Sequence, residues 1–234
     1  MARFKPALPR LQRGDPLARG LVGAWEFNEG SGLYVRDHSG YGHDATLVGG
    51  PTWGPGRAGH SVYCNGSGQY IDMTPPIADV ISNPFSMVLW MRSTDSDISA
   101  VFGGMGSTAT TYPIAMFQNQ RPGSTASGIR FLLRGNSSAT YRSTGSSNAV
   151  NDGNRHCLVA TWDASTLQVF VDGEAQTDTY DTGTPTGYSF STLSLGVLHR
   201  YTLVYYAEIY SDTFRMYDRA LGEDEIRQIY VEGG

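Results

Sequence analysis

At 234 residues the chain is long enough to bury one full hydrophobic core, because all-β sandwiches reach ~200–250 residues as single domains. With 29 glycines, 14 tyrosines and 17% charged residues, the composition favours short strands and turns and argues against a mainly helical fold. The net charge of −5 is uneven: residues 1–20 carry +4, which leaves −9 on the rest, and an acidic body argues against a nucleic-acid surface.

The first 20 residues predict a basic, proline-rich arm, since they show neither the period of a strand nor that of a helix. Fully extended, this arm would reach ~65 Å at ~3.3 Å per residue, enough to cross a neighbouring subunit. Its basic side chains, which we predict to contact a partner, are Arg3, Lys5, Arg10, Arg13 and Arg19. No apolar run approaches the ~20 residues of a membrane span, and the arm lacks the apolar core of a signal peptide. We therefore expect one domain over residues 21–234 in a soluble protein made in a cytoplasm.

Strand signals begin at Leu21 and recur along the chain, each bounded by Gly, Asn, Asp or Pro clusters. The segments are LVGAWEF, HSVYCN, QYIDM, FSMVLWMR, PIAMFQ, GIRFLLR, RHCLVATWD, LQVFVDGEAQ, LSLGV and LVYYAEIYSDTFRMY. FSMVLWMR is nearly all apolar, which predicts a strand covered on both faces. Asp172-Gly173, between two extended runs, predicts a two-residue type I′ hairpin. Cys64 and Cys157 lie in strand-like runs without metal or redox spacing, so we expect two buried free thiols.

The last segment, residues 221–230, has a helical pattern. Ile226, Ile229 and Tyr230 recur at i, i+3 and i+4, and acidic residues in the first turn suit the helix dipole. Regularly spaced strands with glycine-rich turns indicate two packed antiparallel sheets of jelly-roll type. The expected fold is therefore an all-β sandwich with an extended N-terminal arm and a short C-terminal helix.

Several blocks in fixed order carry a family resemblance: GLVGAWEFNEGSG, DHSGYGHDATL, FSMVLWMR, RHCLVATWD, VFVDG and FRMYDRALGEDEI. Together they resemble the laminin-G-like (concanavalin A-like lectin/glucanase) jelly-roll family over roughly residues 20–234. Two residues depart from the family pattern. Cys64 stands where an aromatic residue is usual, and Gly222 replaces a serine at the start of the last helix, which should weaken that helix cap slightly.

The run LARGLVGAWEFNEGSG also resembles proteins of bacteriophage structural gene clusters, in which such domains lie on the virion. This second resemblance covers about sixteen residues. It implies a structural role in a virus particle.

Glycoside hydrolysis is implied by the same family, because laminarinase-like glycosidases share this sandwich. A retaining pair needs two carboxyl groups ~5–5.5 Å apart, as in an E-x-D-x-x-E run on one strand, and the sequence has no such run. The strand acids Glu208 and Asp212 are four residues apart, or ~13 Å along a strand. No G-x-S-x-G elbow follows a strand either. We therefore expect no enzyme, with glycoside hydrolase as a second alternative.

Calcium is implied by related sandwiches, which often hold one structural ion between the first strand, a turn and an Asp of the last strand. By position, the matching residues would be Asn28 or Glu29, Gly66 or Ser67, and Asp212. The alternative is that Asp212 is an exposed strand acid and that Asp37 forms an Asx turn in DHSG. One structural Ca²⁺ is therefore a prediction with a competing structural explanation.

Carbohydrate binding usually relies on exposed aromatic faces with amide and acid partners. Tyrosines in or near predicted loops are candidates for glycan contacts: Tyr112, Tyr141, Tyr188 and Tyr201. The tryptophans of the strand motifs, Trp25, Trp90 and Trp162, are expected in the core.

Two binding functions follow. In the first, the chain is a bacteriophage virion protein, a capsid decoration or similar accessory on the virion surface, whose arm binds a capsid or other virion protein. In the second, it is a free calcium-assisted lectin module. The arm favours the first, because a lectin gains nothing from twenty ordered basic and proline-rich residues. We expect no nucleic-acid or membrane partner, and the sequence does not specify whether the chain forms a homo-oligomer.

Overall fold

The computed structural model describes residues 15–57, 59–73, 84–95, 100–105, 114–120, 127–135, 141–145, 150–181, 192–199 and 202–233. In chain order the strands are β1 Leu21–Trp25, β2 Tyr34–Val35, β3 Ala45–Val48, β4 Thr52–Pro55, β5 His60–Asn65, β6 Tyr70–Asp72, β7 Phe85–Arg92, β8 Ala100–Met105, β9 Ile114–Gln120, β10 Ser127–Arg134, β11 Tyr141–Gly145, β12 Arg155–Trp162, β13 Leu167–Val171, β14 Glu174–Ala175, β15 Asp178–Asp181, β16 Thr192–Leu195, β17 Leu198–His199, β18 Leu203–Val204 and β19 Glu208–Tyr217. A short 3-10 helix, Pro16–Ala18, precedes them, and the α-helix α1, Glu223–Gly233, follows them.

The strands form two large antiparallel sheets. The eight-stranded sheet has the order β14-β13-β12-β7-β19-β5-β4, with β1 also paired to β19. The nine-stranded sheet has the order β15-β11-β10-β9-β8-β16-β6-β3-β2, and β17 and β18 form a separate hairpin. Neighbours in space come from distant parts of the chain, as in a jelly roll. The predicted all-β sandwich with a C-terminal helix is confirmed.

Strand β7 shows why the predicted two-sided burial occurs. Its alternate residues Phe85, Met87, Leu89 and Met91 join the main core between the sheets. Val88 and Trp90 face the other way, into a second apolar layer on the outer face of the eight-stranded sheet. Seven of the eight residues are buried, because both faces of this central strand are covered.

Helix α1 provides that outer cover. Ile226 and Ile229 are buried in the second apolar layer, and the Tyr230 ring stacks on Trp90 at a centroid distance of 5.8 Å. Full burial of one such aliphatic side chain stabilises the fold by about 1.5–3 kcal/mol. The predicted helix is confirmed. At 11 residues, it is too short to cross a membrane.

The Asp172-Gly173 pair forms the predicted two-residue connection between β13 and β14. Both residues have positive φ, 53° and 83°, as a type I′ turn requires. The Asp172 carboxylate also accepts hydrogen bonds from the backbone of Cys157 and from His156. Cys64 and Cys157 are buried free thiols, and burial raises the pKa of Cys64 to about 12.

The end of the predicted arm packs on the sandwich. Leu17, in the 3-10 helix, is 1% exposed within the second apolar layer. The carbonyl oxygens of Pro16 and Arg19 accept hydrogen bonds from the Arg219 guanidinium at 3.2 and 2.8 Å. Pro16, Leu17 and Arg19, which the sequence assigned to the arm, therefore contact the sandwich. The other basic residues of the arm, Arg3, Lys5, Arg10 and Arg13, lie outside the described residues.

Candidate binding pocket

A pocket of about 210 Å³ opens on the outer face of the eight-stranded sheet, where β7 ends and β19 begins. Six residues line it, and we call it the Arg92–Glu208 pocket: Arg92, Ser93, Thr94, Gly153, Glu208 and Tyr210. Arg92 points outward because it alternates with Met91, which lies in the main core. Glu208 and Tyr210 share one face of β19 at i and i+2 for the same reason. The pocket therefore combines a cation, a carboxylate and an aromatic ring.

Tyr210 is the centre of a cross-strand row. It is paired in register with Arg92 on β7 and with Tyr63 on β5, and β19 lies between those two strands. The Arg92 guanidinium carbon lies 3.9 Å from the Tyr210 ring centroid, and the Tyr63 ring centroid is 4.5 Å away. Because its two neighbours come from opposite strands, Tyr210 is covered on both sides.

Glu208 is oriented by the same row. The Tyr63 hydroxyl donates to Glu208 Oε1 at 3.1 Å. Burial and the neighbouring Glu208 carboxylate both raise the pKa of Tyr63, so the phenol stays protonated and remains a donor. Within the described part of the chain, Oε2 of Glu208 accepts no hydrogen bond from the protein, which leaves it to accept from a ligand.

Hydrogen bonds to backbone groups, most of them from the Ser93 and Asp95 side chains, hold the wall of the pocket. Ser93 Oγ donates to the Glu208 carbonyl at 2.6 Å and accepts from Asp95 N at 3.0 Å. Asp95 Oδ2 in turn accepts from Glu208 N at 3.1 Å, and Gly153 N donates to the Ser93 carbonyl at 3.0 Å. These bonds join the start of β19 to the loops that flank β7 and β12. The pocket is therefore formed before any ligand enters, which lowers the cost of binding.

Sequence reasoning missed this pocket. The alternation of Glu208 and Tyr210 in EIYSDTFRMY was a usable signal, since it places both side chains on one face. No local signal could have added Arg92 and Gly153, because the strand order that puts β7 between β12 and β19 is a tertiary property.

The structure does not bring the five predicted calcium ligands together. Asn28 Oδ1 accepts from His60 N at 3.4 Å, at the start of β5, whereas the Gly66–Ser67 turn follows the end of that strand. The two points are ~16 Å apart along five strand residues. Glu29 Oε1 is used by the backbone of Arg36 at 2.8 Å.

Asp212 is also engaged elsewhere. Its side chain is fully buried, its Oδ2 accepts from Arg155 Nε at 2.9 Å, and its Oδ1 accepts from the backbone of Arg57. It is therefore not an exposed strand acid, because its buried carboxylate accepts from Arg155 and from the backbone of Arg57. No group of three or more His, Cys, Asp or Glu residues suited to a metal occurs among the described residues. Asp37, by contrast, forms the predicted Asx turn, accepting from Ser39 N at 2.8 Å.

The acids considered for hydrolysis lie in different surroundings. Glu208 lines the pocket, while Asp212 lies in the buried contact with Arg155 and Arg57. Among the predicted glycan contacts, Tyr112, Tyr188 and Tyr201 lie outside the described residues. Tyr141 begins β11, but its side chain is outside the described part. Trp25, Trp90 and Trp162 are buried, as expected.

Comparison with known proteins places this geometry in a family. No curated protein sequence matches the chain significantly. Among solved structures, the binding domain of Paraclostridial Mosquitocidal Protein 1 is similar at a TM-score of 0.70 and 14% identity, over 92% of this chain and 52% of that one. Domain 4 of AbnA, an extracellular arabinanase from Geobacillus stearothermophilus, in complex with arabinotriose, is similar at a TM-score of 0.64 and 15% identity, over 90% of this chain and 98% of that one. Trypanosoma rangeli sialidase, in complex with sialic acid, is similar at a TM-score of 0.68 and 16% identity, over 92% of this chain and 33% of that one.

The chain thus spans about half the length of the mosquitocidal chain and about a third of the sialidase chain. At these identities the likeness shows the fold alone. The family model of the concanavalin A-like lectin/glucanases superfamily, however, matches residues 65–227, which is more than half of the chain and includes all six pocket residues. The chain belongs to the concanavalin A-like lectin/glucanases superfamily.

Proposed function

We propose that this chain is a non-catalytic carbohydrate-binding protein whose sandwich takes a sugar in the Arg92–Glu208 pocket. The observation that carries the proposal is that one preformed pocket holds both the N–H donors of Arg92 and the carboxylate acceptor of Glu208. Sugar hydroxyls both donate and accept hydrogen bonds, so they suit such a pair. The lectin-type fold and the complexes of AbnA domain 4 with arabinotriose and of the sialidase with sialic acid support it.

A binding role fits the pocket better than hydrolysis. Both glycosidase mechanisms need two carboxyl groups, ~5–5.5 Å apart for retention and ~6.5–9.5 Å for inversion. The six lining residues include one carboxylate, Glu208. Asp212, the other strand acid, is held by Arg155 and Arg57. We therefore assign Glu208 to ligand binding.

A glycan array with the intact chain, followed by calorimetric titration of each hit, tests this proposal. We expect saturable binding that Glu208→Gln and Arg92→Met each weaken at least tenfold. Glu174→Gln, the same change on the exposed edge strand β14, should leave the affinity unchanged. Melting curves of each variant show that the fold is intact. An array without any hit, or hits that tolerate both pocket variants, would refute the proposal. Repeating the titration with EDTA tests the predicted calcium ion.

We also propose that the chain is a bacteriophage virion protein, a capsid decoration or similar accessory, with the sandwich facing outward. The feature that favours this role is the split between a +4 segment at residues 1–20 and a −9 body. A basic segment binds an acidic neighbouring surface, while the body is repelled by it. Arg219 donates hydrogen bonds to the end of that segment, so an arm bound to a partner would hold the sandwich at that partner.

Cosedimentation with capsids of the parent phage tests the virion role. The first variant for this test is a deletion of residues 1–14. It keeps residues 15–20, because Leu17 packs in the second apolar layer. We expect the deletion, and the charge-neutral variant with Gln at Arg3, Lys5, Arg10 and Arg13, to abolish capsid binding. Wild-type occupancy of either variant would disprove the anchor. Light scattering on the same samples gives the oligomeric state.

A further inference from the structure

The Arg92 guanidinium carries unused donors. Within the described residues it forms no hydrogen bond or ion pair, and its Nε is buried without an acceptor. The guanidinium carbon lies 3.9 Å from the Tyr210 ring centroid, a cation–π contact that uses none of the N–H groups as hydrogen-bond donors to an oxygen. A ligand oxygen that reaches the exposed N–H groups would therefore give Arg92 a hydrogen-bond acceptor that the described residues do not supply.

Tyr210 has no free face for a sugar. Arg92 lies over the ring from β7, and Tyr63 packs against it from β5 at 4.5 Å and an interplanar angle of 33°. Stacking of the apolar face of a sugar on this ring would require one neighbour to leave. The pocket therefore recognises hydroxyl groups at its edge, and the role of Tyr210 is to hold Arg92 in place.

The charges in the pocket balance. Arg92 and Glu208 have opposite charges, and among the described residues no ion pair joins them. A carboxylated sugar would gain from Arg92 but would be repelled by Glu208 and by the −9 body. A neutral diol satisfies both groups, since one hydroxyl oxygen accepts from Arg92 and the neighbouring hydroxyl donates to Glu208.

The size of the pocket limits the ligand. Its volume of about 210 Å³ is below the ~300–1,000 Å³ of pockets for drug-sized ligands. Such a space takes one sugar ring, as at the end of a glycan chain. Resting on the proposed function, we infer that the Arg92–Glu208 pocket binds a single, neutral, terminal sugar unit through two neighbouring hydroxyl groups.

Paired ligands that differ at one group test this inference. Methyl glucoside and methyl galactoside are compared with methyl glucuronide and methyl galacturonide, which carry a carboxylate at C6, by saturation-transfer NMR and calorimetry. We expect at least one neutral glycoside to bind ten times more tightly than its acidic partner. Glu208→Gln should narrow that ratio, because it removes the repulsion, and Arg92→Lys should weaken the neutral ligand, because a single ammonium replaces the planar fork.

The outcomes separate the two proposals. Tighter binding of the acidic partner, or equal affinity, would overturn the neutral-sugar inference and leave the carbohydrate-binding function standing. Neutral binding that ignores both substitutions would overturn it as well, because the site would lie elsewhere. Absence of binding to every glycoside here and to every glycan of the array would instead overturn the proposed function itself.

Discussion

Arg219 holds Glu225 in a two-pronged ion pair, with both guanidinium–carboxylate contacts at 2.7 Å. The same guanidinium donates to the carbonyl oxygens of Pro16 and Arg19. One side chain therefore links helix α1 to the segment that enters the sandwich.

Replacing Arg219 should destabilise the domain. We expect Arg219→Ala to lower the free energy of unfolding by about 1–2 kcal/mol, because hydrogen bonds to charged groups contribute ~1.5–3 kcal/mol each but partial exposure screens them. Arg219→Lys should recover little, since an ammonium cannot reproduce the fork. Urea unfolding measures both. A value for Arg219→Ala within ~0.3 kcal/mol of wild type would contradict the linking role, since surface substitutions away from such contacts stay within ~0.5 kcal/mol.

Asp37 organises the loop of the DHSGYGHD block. Its buried carboxylate accepts from Ala24 N, Ser39 N, Ser39 Oγ and His43 N at 2.7–3.0 Å. Burial alone would raise the pKa of Asp37, but these hydrogen bonds outweigh it and hold the pKa below its usual value of 3.8. The block therefore builds the fold rather than a metal site.

Asp37→Asn should lower the free energy of unfolding by about 2–4 kcal/mol at pH 7, because an amide NH₂ cannot accept from His43 N and the charge is lost. A lowered pKa gives stability that is present above pH ~4 and disappears as the pH falls through the folded value. The gap between wild type and Asp37→Asn should therefore narrow below pH 3.8, as measured by thermal melting. Asp44→Asn, which affects one exposed hydrogen bond, is the matched control. If the difference in stability between wild type and Asp37→Asn does not change with pH, the charge of Asp37 is not the source of the stabilisation.

His156 bridges two carboxylates. Its Nδ1 lies 2.8 Å from Asp172 and its Nε2 lies 3.1 Å from Asp152. The hydrogen bond with Asp172 raises the pKa of His156, burial opposes it, and the hydrogen bond with Asp152 adds to the rise. Stability from a raised pKa is fully present below the unfolded value of about 6.5 and is lost as the pH rises through the folded value.

The melting temperature of the wild type should therefore fall between pH 6 and pH 9. The melting temperature of His156→Gln should not show this fall, and at pH 6 the variant should be less stable than the wild type. An NMR titration of the His156 ring measures the pKa directly. A folded pKa at or below 6.5, or the same step in His156→Gln, would rule out this residue as its source.

Gly222 offers a stabilising change. Its N–H donates to the Glu225 carboxylate at 2.9 Å, which is half of a capping box at the start of α1. Gly222→Ser would supply the other half, an Oγ that accepts from Glu225 N. The nearest atom to an added Cβ is 3.7 Å away, an ordinary contact.

We expect Gly222→Ser to raise the free energy of unfolding by a few tenths of a kcal/mol, or about 1–2 °C in melting temperature. Gly222→Ala, which adds the Cβ without the oxygen, should not reproduce the gain. Equal gains in both variants would attribute the effect to the loss of glycine flexibility in the unfolded chain.

Part of this protein follows from the sequence because it depends on local periodicity. The apolar run FSMVLWMR, the Asp172-Gly173 turn and the spacing of Ile226 and Ile229 each fix an element within a few residues, since backbone sterics and side-chain pattern act locally. Burial of Cys64 and Cys157 follows from the same patterns. These features were sufficient for the two-sheet architecture and its closing helix.

The pocket and the ion pairs were decided by tertiary structure alone. Asp212 meets Arg155, and Arg92 meets Tyr210, because strand order sets residues 57 and 118 positions apart side by side. From the sequence, Asp212 was a candidate calcium ligand or an exposed strand acid, because its partner Arg155 is on another strand. Local physics thus determined which segments are strands and which faces are apolar. Pairing of distant strands, which depends on the free energy of the whole core, decided which polar side chains share a pocket.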